Sequence, residues 1–151
     1  MPNCSVKDKT NIASYDYWSC GDYNGLADLT STQYVTITVD STYSTNGTKS
    51  FKLVNSVAHS NVQFTLNNIL TNTTYTVKID IKTDKELAFS IIERTSGGSI
   101  NSTVTVPANE NWNTYTVSHT TGNNPTKINF LVNPKSSNAT CYLDNIRITT
   151  Q

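Results

Sequence analysis

An all-β, antiparallel two-sheet sandwich is the fold this sequence predicts, and three observations predict it. Apolar residues alternate with polar ones in short runs along most of the chain. Gly, Pro and Asn clusters separate those runs. No stretch longer than a turn carries a helical repeat, the best being 84–87. Alternation of period two is the mark of a strand with one buried and one wet face.

Each element follows from that pattern. In Tyr34 to Asp40, Val35, Ile37 and Val39 share one side and Thr36 and Thr38 the other. Phe51 and Leu53 form the next run, and Val62, Phe64 and Leu66 the one after. Tyr75, Val77, Ile79 and Ile81 point inward, while Lys78, Asp80 and Lys82 point outward. Leu87 to Ile92, Val104 with Val106, Tyr115 with Val117, Ile128 to Val132 and about Thr140 to Thr149 complete the set. Val, Ile, Thr and Tyr suit a pleated, half-buried surface. The expected core includes Val35, Ile37, Phe64, Leu66, Val77, Ile79, Phe89, Ile91, Phe130, Val132 and Ile146. Asn46-Gly47, Asn67-Asn68, Ser96 to Ser99, Pro107 to Asn109 and Asn123 to Pro125 supply the turns. Residues 1–33 lack alternation and read as an irregular N-terminal segment of one domain spanning 1–151.

Composition narrows the function classes. Eleven basic residues balance eleven acidic ones, with a pI near 6.7. A nucleic-acid binder needs a basic face to displace phosphate counterions, so no nucleic-acid partner is expected. No apolar run is long enough to span a membrane. The start, MPNCSVKDKT, has no apolar core of a signal peptide. Ser, Thr and Asn make up about two-fifths of the chain. His59 and His119 read as exposed loop histidines. Ser96 to Ser99 lacks the Lys of a phosphate loop and reads as a hairpin turn. Glu86, Glu93 and Glu110 are not brought together by any motif as a glycosidase pair, so the chain is expected not to be an enzyme.

Four motifs, in order, carry a resemblance. Asn46-Gly47-Thr48-Lys49-Ser50-Phe51-Lys52-Leu53 resembles an S-G-K-x-S-L-x-L step. Leu70 to Val77 resembles L-x-P-G-x-x-Y-x-V, with Thr71-Asn72 in place of Pro-Gly. Asn111 to Val117 resembles a W-x-x-Y strand, and Tyr142 to Ile148 a closing Y-x-D-D/N-V-x-L strand. Together they resemble the carbohydrate-binding modules of jelly-roll, galactose-binding-like type that are attached to xylanases and glucanases. The resemblance covers about two-thirds of the chain. It departs at the N-terminus, where the family's N-x-x-F-E start is absent. It implies a jelly-roll sandwich, a polysaccharide or surface glycan as partner, and a structural calcium. The calcium would be bound by Asp144 with carbonyls of the turn containing Asn46 and Thr48. It also implies that the first and last strands lie close, which would set Cys4 near Cys141; free buried thiols are the alternative.

Asp144 shares strand parity with Tyr142, Ile146 and Ile148, so an inward course buries a carboxylate that then requires a cation or several donors. Calcium takes carboxylate and carbonyl oxygens. The alternatives are a bulge that breaks the parity, or backbone N–H groups bonded to Asp144. Trp18, Tyr17 and Tyr23 lie in the irregular segment beside Asp22 and Asn24. Rings that stack on sugar faces, interleaved with groups that bond hydroxyls, make a glycan platform; the alternative is that Trp18 plugs one end of the sandwich. The resemblance implies that Trp112 is a packing residue, with a ligand contact as the alternative. Two functions follow. One is a non-catalytic glycan-binding or adhesion module. The other is a virion protein, a capsid decoration or tail fibre, which uses the sandwich for assembly on capsid or tail proteins. The expected location is extracellular or on a virion surface.

Overall fold

In the computed structural model, residues 26–31, 34–45, 50–66 and 69–151 are described. They form ten strands and, among the described residues, no helix. The strands are β1 (Leu26–Ser31), β2 (Val35–Asp40), β3 (Ser50–Asn55), β4 (Val62–Leu66), β5 (Thr74–Thr83), β6 (Leu87–Thr95), β7 (Gly98–Val106), β8 (Asn109–Thr120), β9 (Pro125–Pro134) and β10 (Thr140–Thr150). They make two five-stranded sheets, ordered β1-β4-β9-β6-β7 and β2-β3-β10-β5-β8. Every pairing is antiparallel.

The alternating residues meet where the two sheets face each other. Phe64, Leu66, Val77, Ile79, Phe89, Ile91, Phe130, Val132 and Ile146 are all fully buried, and Val35 packs against them from the edge. The side chain of Ile37 lies outside the described residues. Phe64 stacks on Phe130 at 4.6 Å within one sheet and meets Phe51 of the other edge-on at 6.2 Å. Each such fully buried side chain contributes roughly 1.5–3 kcal/mol by leaving water. The polar requirement at one end is met by Asn55. Its amide donates to Val57 and Ser136 carbonyls, both at 2.9 Å, and accepts from Ala139 N–H at 2.7 Å.

Three sequence expectations are corrected. β1 lies inside the stretch read as irregular. It pairs with β4 through a register shift between Ala27 and Leu29, so its sequence cannot alternate. Residues 84–86 form a bend leading into β6 rather than a helical turn. His119 is no loop residue but lies on β8 and is buried. The Ser96-Gly97 turn does close a hairpin, with Thr95 opposite Gly98; φ of Gly98 is 147°, a conformation that favours glycine.

Cys141 is a buried free thiol, bonded at 3.2 Å to the Thr83 hydroxyl. Burial pushes its pKa up to about 11, against the smaller pull of the Thr83 hydrogen bond. Cys4 and Cys20 lie outside the described residues. Ile79 sits at the centre of β5, 0% exposed. Ile79→Ala is therefore expected to cost about 2–5 kcal/mol in urea unfolding. A loss under about 0.5 kcal/mol, within the range of surface substitutions, would place Ile79 outside the core.

Candidate functional site

The outer face of the β2-β3-β10-β5-β8 sheet carries the chemistry. Cross-strand register there sets Thr38 opposite Lys52, Lys52 opposite Tyr142, and Tyr142 opposite Lys82. Cys141 and Leu143, on either side of Tyr142, are fully buried, so Tyr142 points outward. This corrects the inward parity expected for Tyr142.

Asp144 shares that outward face. It pairs with Asp80, which stands between outward Lys78 and Lys82. Past Asp144 the register slips before Arg147, and Asn145 takes φ 51°. One extra residue in a strand reverses the parity beyond it. Ile146 and Ile148 therefore point inward while Asp144 does not, as the bulge alternative allowed. Asp144 is nonetheless fully buried, because the segment after β2 folds over it. Thr45 N–H donates to the Asp144 carboxylate, and Asn145 N–H donates to its other oxygen at 2.7 Å. The Thr45 hydroxyl lies 2.7 Å from Asp80 Oδ2 and 3.2 Å from Asp144 Oδ2. Asp80 also accepts from Thr114 at 2.6 Å, and from Asn145 Nδ2 and Arg147 at 3.2 Å each.

Tyr43, two residues before Thr45, is laid against this face. Asp40 holds the turn by accepting from the N–H groups of Thr42 and Tyr43 at 3.0 and 2.9 Å, a local bond typical of Asp in turns. The Tyr43 ring meets Tyr142 edge-on at 5.0 Å, and Trp112 also meets Tyr142 edge-on, at 6.5 Å. A second irregularity shapes the far rim. Between Ile81 and Thr83 of β5, the partner strand β8 advances from Asn113 to Asn109. Beside this irregularity lies a cleft of about 500 Å³, whose lining includes Tyr43, Lys82, Tyr142, Asp84, Asn109, Glu110 and Asn111. Aromatic faces beside amide and carboxylate oxygens can stack on the C–H face of a sugar and bond its hydroxyls.

Of the residues expected at a glycan platform, Tyr17, Trp18, Asp22, Tyr23 and Asn24 lie outside the described residues. So do Asn46 and Thr48, the expected carbonyl donors to calcium. Trp112, read as a packing residue, is half-buried beside the cleft. Tyr43 and Tyr142 were not expected as contacts. The usable signal was the polar company of Tyr142 in register: an aromatic flanked by Lys52 and Lys82 lies on the wet face.

A second polar cluster bridges the two sheets. His119 Nε2 lies 2.7 Å from Glu93 Oε1, and its Nδ1 lies 3.0 Å from the Ser102 hydroxyl. Gly122 N–H also donates to Glu93. A carboxylate oxygen accepts, so Nε2 donates to Glu93, while Nδ1 is hydrogen-bonded to the Ser102 hydroxyl. Glu93 is 1% exposed and His119 8%. The three residues tie β6, β7 and β8 together. Glu86 instead pairs with Lys135 at the surface, and Glu110 is at the cleft, so the three glutamates lie in separate places. His119→Ala is expected to cost about 3–5 kcal/mol in urea unfolding, since it strands a buried carboxylate. Glu93→Gln keeps an acceptor and is expected to cost about 1 kcal/mol. Equal, small losses would show that the cluster carries no such charge.

The fold matches solved carbohydrate-binding modules. The CBM22-1 xylan-binding domain from Paenibacillus barcinonensis Xyn10C aligns with a TM-score of 0.68 at 13% identity, over 81% of this chain and 85% of that one. A Family 16 Carbohydrate Binding Module-2 aligns at 0.60 and 20%, over 78% and 86%. The enzymatically active domain of Bacteriophage CBA120 tailspike protein 4 aligns at 0.64 and 17%, over 83% of this chain but only 19% of that one. No protein-family profile matches the chain, and neither does any curated protein. The chain therefore has the two-sheet sandwich of carbohydrate-binding modules.

Proposed function

We propose that this chain is a non-catalytic glycan-binding module whose ligand lies in the cleft on the outer face of the β2-β3-β10-β5-β8 sheet. The observation that carries the reading is Tyr142. Its ring stands on the outward side of a central strand, flanked by Tyr43 and Trp112, at a cleft lined by Asn109, Asn111, Asp84 and Glu110. The modules that share the fold support the ligand class, since one is a xylan-binding domain by description. An open cleft buries little of a flexible polymer, so affinity per site is low.

The N-terminal rings Tyr17, Trp18 and Tyr23, with Asp22 and Asn24, are a second proposed contact, resting on sequence alone. Affinity electrophoresis through gels cast with single polysaccharides tests both. Tyr142→Ala is expected to abolish retardation in the gel that retards the wild type, with the melting temperature within a few degrees, as for a surface substitution. Trp18→Ala is expected to weaken retardation likewise. Unfolding of Trp18→Ala would identify Trp18 as a plug of the sandwich. Undiminished retardation of Tyr142→Ala would remove the cleft.

A virion adhesin is the second reading, favoured by the match to a phage tailspike domain. It predicts co-sedimentation with particles and a location on their surface, in addition to glycan binding. An extracellular location is the corresponding expectation for a module on a secreted enzyme.

The Asp80–Asp144 pair fits a structural calcium. Two carboxylates and the Thr45 hydroxyl make a hard oxygen set, the kind calcium takes. Among the described residues no three His, Cys, Asp or Glu side chains come together, so the remaining donors would be backbone carbonyls such as those of Asn46 and Thr48. Bound there, calcium would offset the repulsion of the two carboxylates and fix the segment bearing Tyr43. A ligand that binds only the folded state raises its stability by mass action. Calcium is expected to raise the melting temperature of EDTA-stripped protein, and Asp144→Ala to abolish that rise. Identical melting curves with EDTA and with excess calcium would remove the site.

A further inference from the structure

The ring of Tyr142 is flanked by two cations. Lys52 and Lys82 are its cross-strand neighbours on β3 and β5. Their ammonium groups lie 5.9 and 5.5 Å from the Tyr142 ring centroid, and that of Lys82 lies 3.3 Å from the Tyr43 centroid. Among the described residues neither lysine forms an ion pair; the pairs present are Glu93–His119, Glu86–Lys135 and Asp80–Arg147. Among the described residues, these ammonium groups are met by the negative faces of the tyrosine rings.

We infer that the cleft, with Lys52 across Tyr142 from Lys82, selects an anionic saccharide, one whose acidic group lies at these lysines while its ring stacks on Tyr142. This rests on the glycan-binding reading above and adds a charge requirement to it. A carboxylate or sulfate on a stacked sugar reaches past the ring edge, where an ammonium on either side can donate a charge-assisted hydrogen bond. Acidic groups share the cleft with Lys82. Asp84 and Glu110 line it, and they accept hydroxyls but repel a second anion. The arrangement therefore fits a glycan in which charged residues alternate with neutral ones, rather than a polymer charged at every residue.

The test compares polymers that differ only in the acid. Hyaluronan, with a uronate on alternate residues, is set against its methyl ester. Lightly substituted dextran sulfate is set against dextran, and polygalacturonate represents charge at every residue. Wild-type protein is expected to bind hyaluronan or dextran sulfate about tenfold more tightly than the neutral counterpart. That preference should shrink as salt rises, and polygalacturonate should bind less tightly than the preferred polymer. Which of the two pairs shows the preference identifies carboxylate or sulfate as the group read. In the folded double variant Lys52→Gln/Lys82→Gln the ratio of anionic to neutral affinity is expected to fall to about one. A ratio near one in both pairs, or a preference that survives in the double variant, overturns the inference. If neutral polymers bind through Tyr142 without any preference, the glycan reading stands and only the charge requirement falls. If no polymer is bound, neutral or anionic, both fall.

Discussion

Asp80 and Asp144, two carboxylates facing each other on adjacent strands, set the terms for the outer face of this sheet. Like charges directly opposite one another destabilise a sheet, and these are buried as well. They persist because donors converge on them: Thr45 from the segment after β2, Thr114 from β8, Asn145 from the β10 bulge and Arg147 beyond it. Those donors hold the neighbouring parts in place. Thr45 anchors the chain that lays Tyr43 against Tyr142. The bulge lets Asp144 and Tyr142 face outward while Ile146 and Ile148 return to the core.

The interior obeys a different rule. Its aromatic and aliphatic side chains need only exclude water, and they do so without polar company along most of β4, β5, β6 and β9. One polar cluster that interrupts this pattern is Glu93–His119–Ser102, at the β6, β7 and β8 end. A buried ion or hydrogen-bonded pair adds little net stability against well-packed apolar side chains, but its loss on one side is costly. Its effect is to fix which strands meet there. The molecule thus holds its two sheets together with nonpolar packing in the middle and directional bonds at the ends.

Nine of the ten strands were legible from alternation because each sheet has one face in the core, and period two survives wherever pairing is regular. Legibility failed at bulges. β1 carries a register shift between Ala27 and Leu29, so its residues do not alternate. Asp144 was placed inward because Ile146 and Ile148 share its parity in sequence; the extra residue at Asn145 cancels that parity in space. The site was harder to read for a related reason. Tyr43, Trp112 and Tyr142 are separated by some hundred residues, and only the sheet order brings them together. An isolated tyrosine on a strand looks like core, and only its cross-strand neighbours, Lys52 and Lys82, show that it is not. The aromatic cluster at Tyr17, Trp18 and Tyr23 is compact in sequence and so is visible without the fold.

The place of β10 in the sheet also constrains how the chain can be made. It is the last strand in sequence, yet it sits in the middle, between β3 and β5. During synthesis β3 and β5 emerge long before their shared partner, and each has an unpaired edge until Thr140–Thr150 arrives. Pairing across such sequence separations is slow, and waiting edges are prone to join the wrong strand. This half of the sandwich is complete only once β10 is free to pair with both neighbours. A nascent chain stalled short of it would expose two strand edges, where a chaperone or another copy could bind.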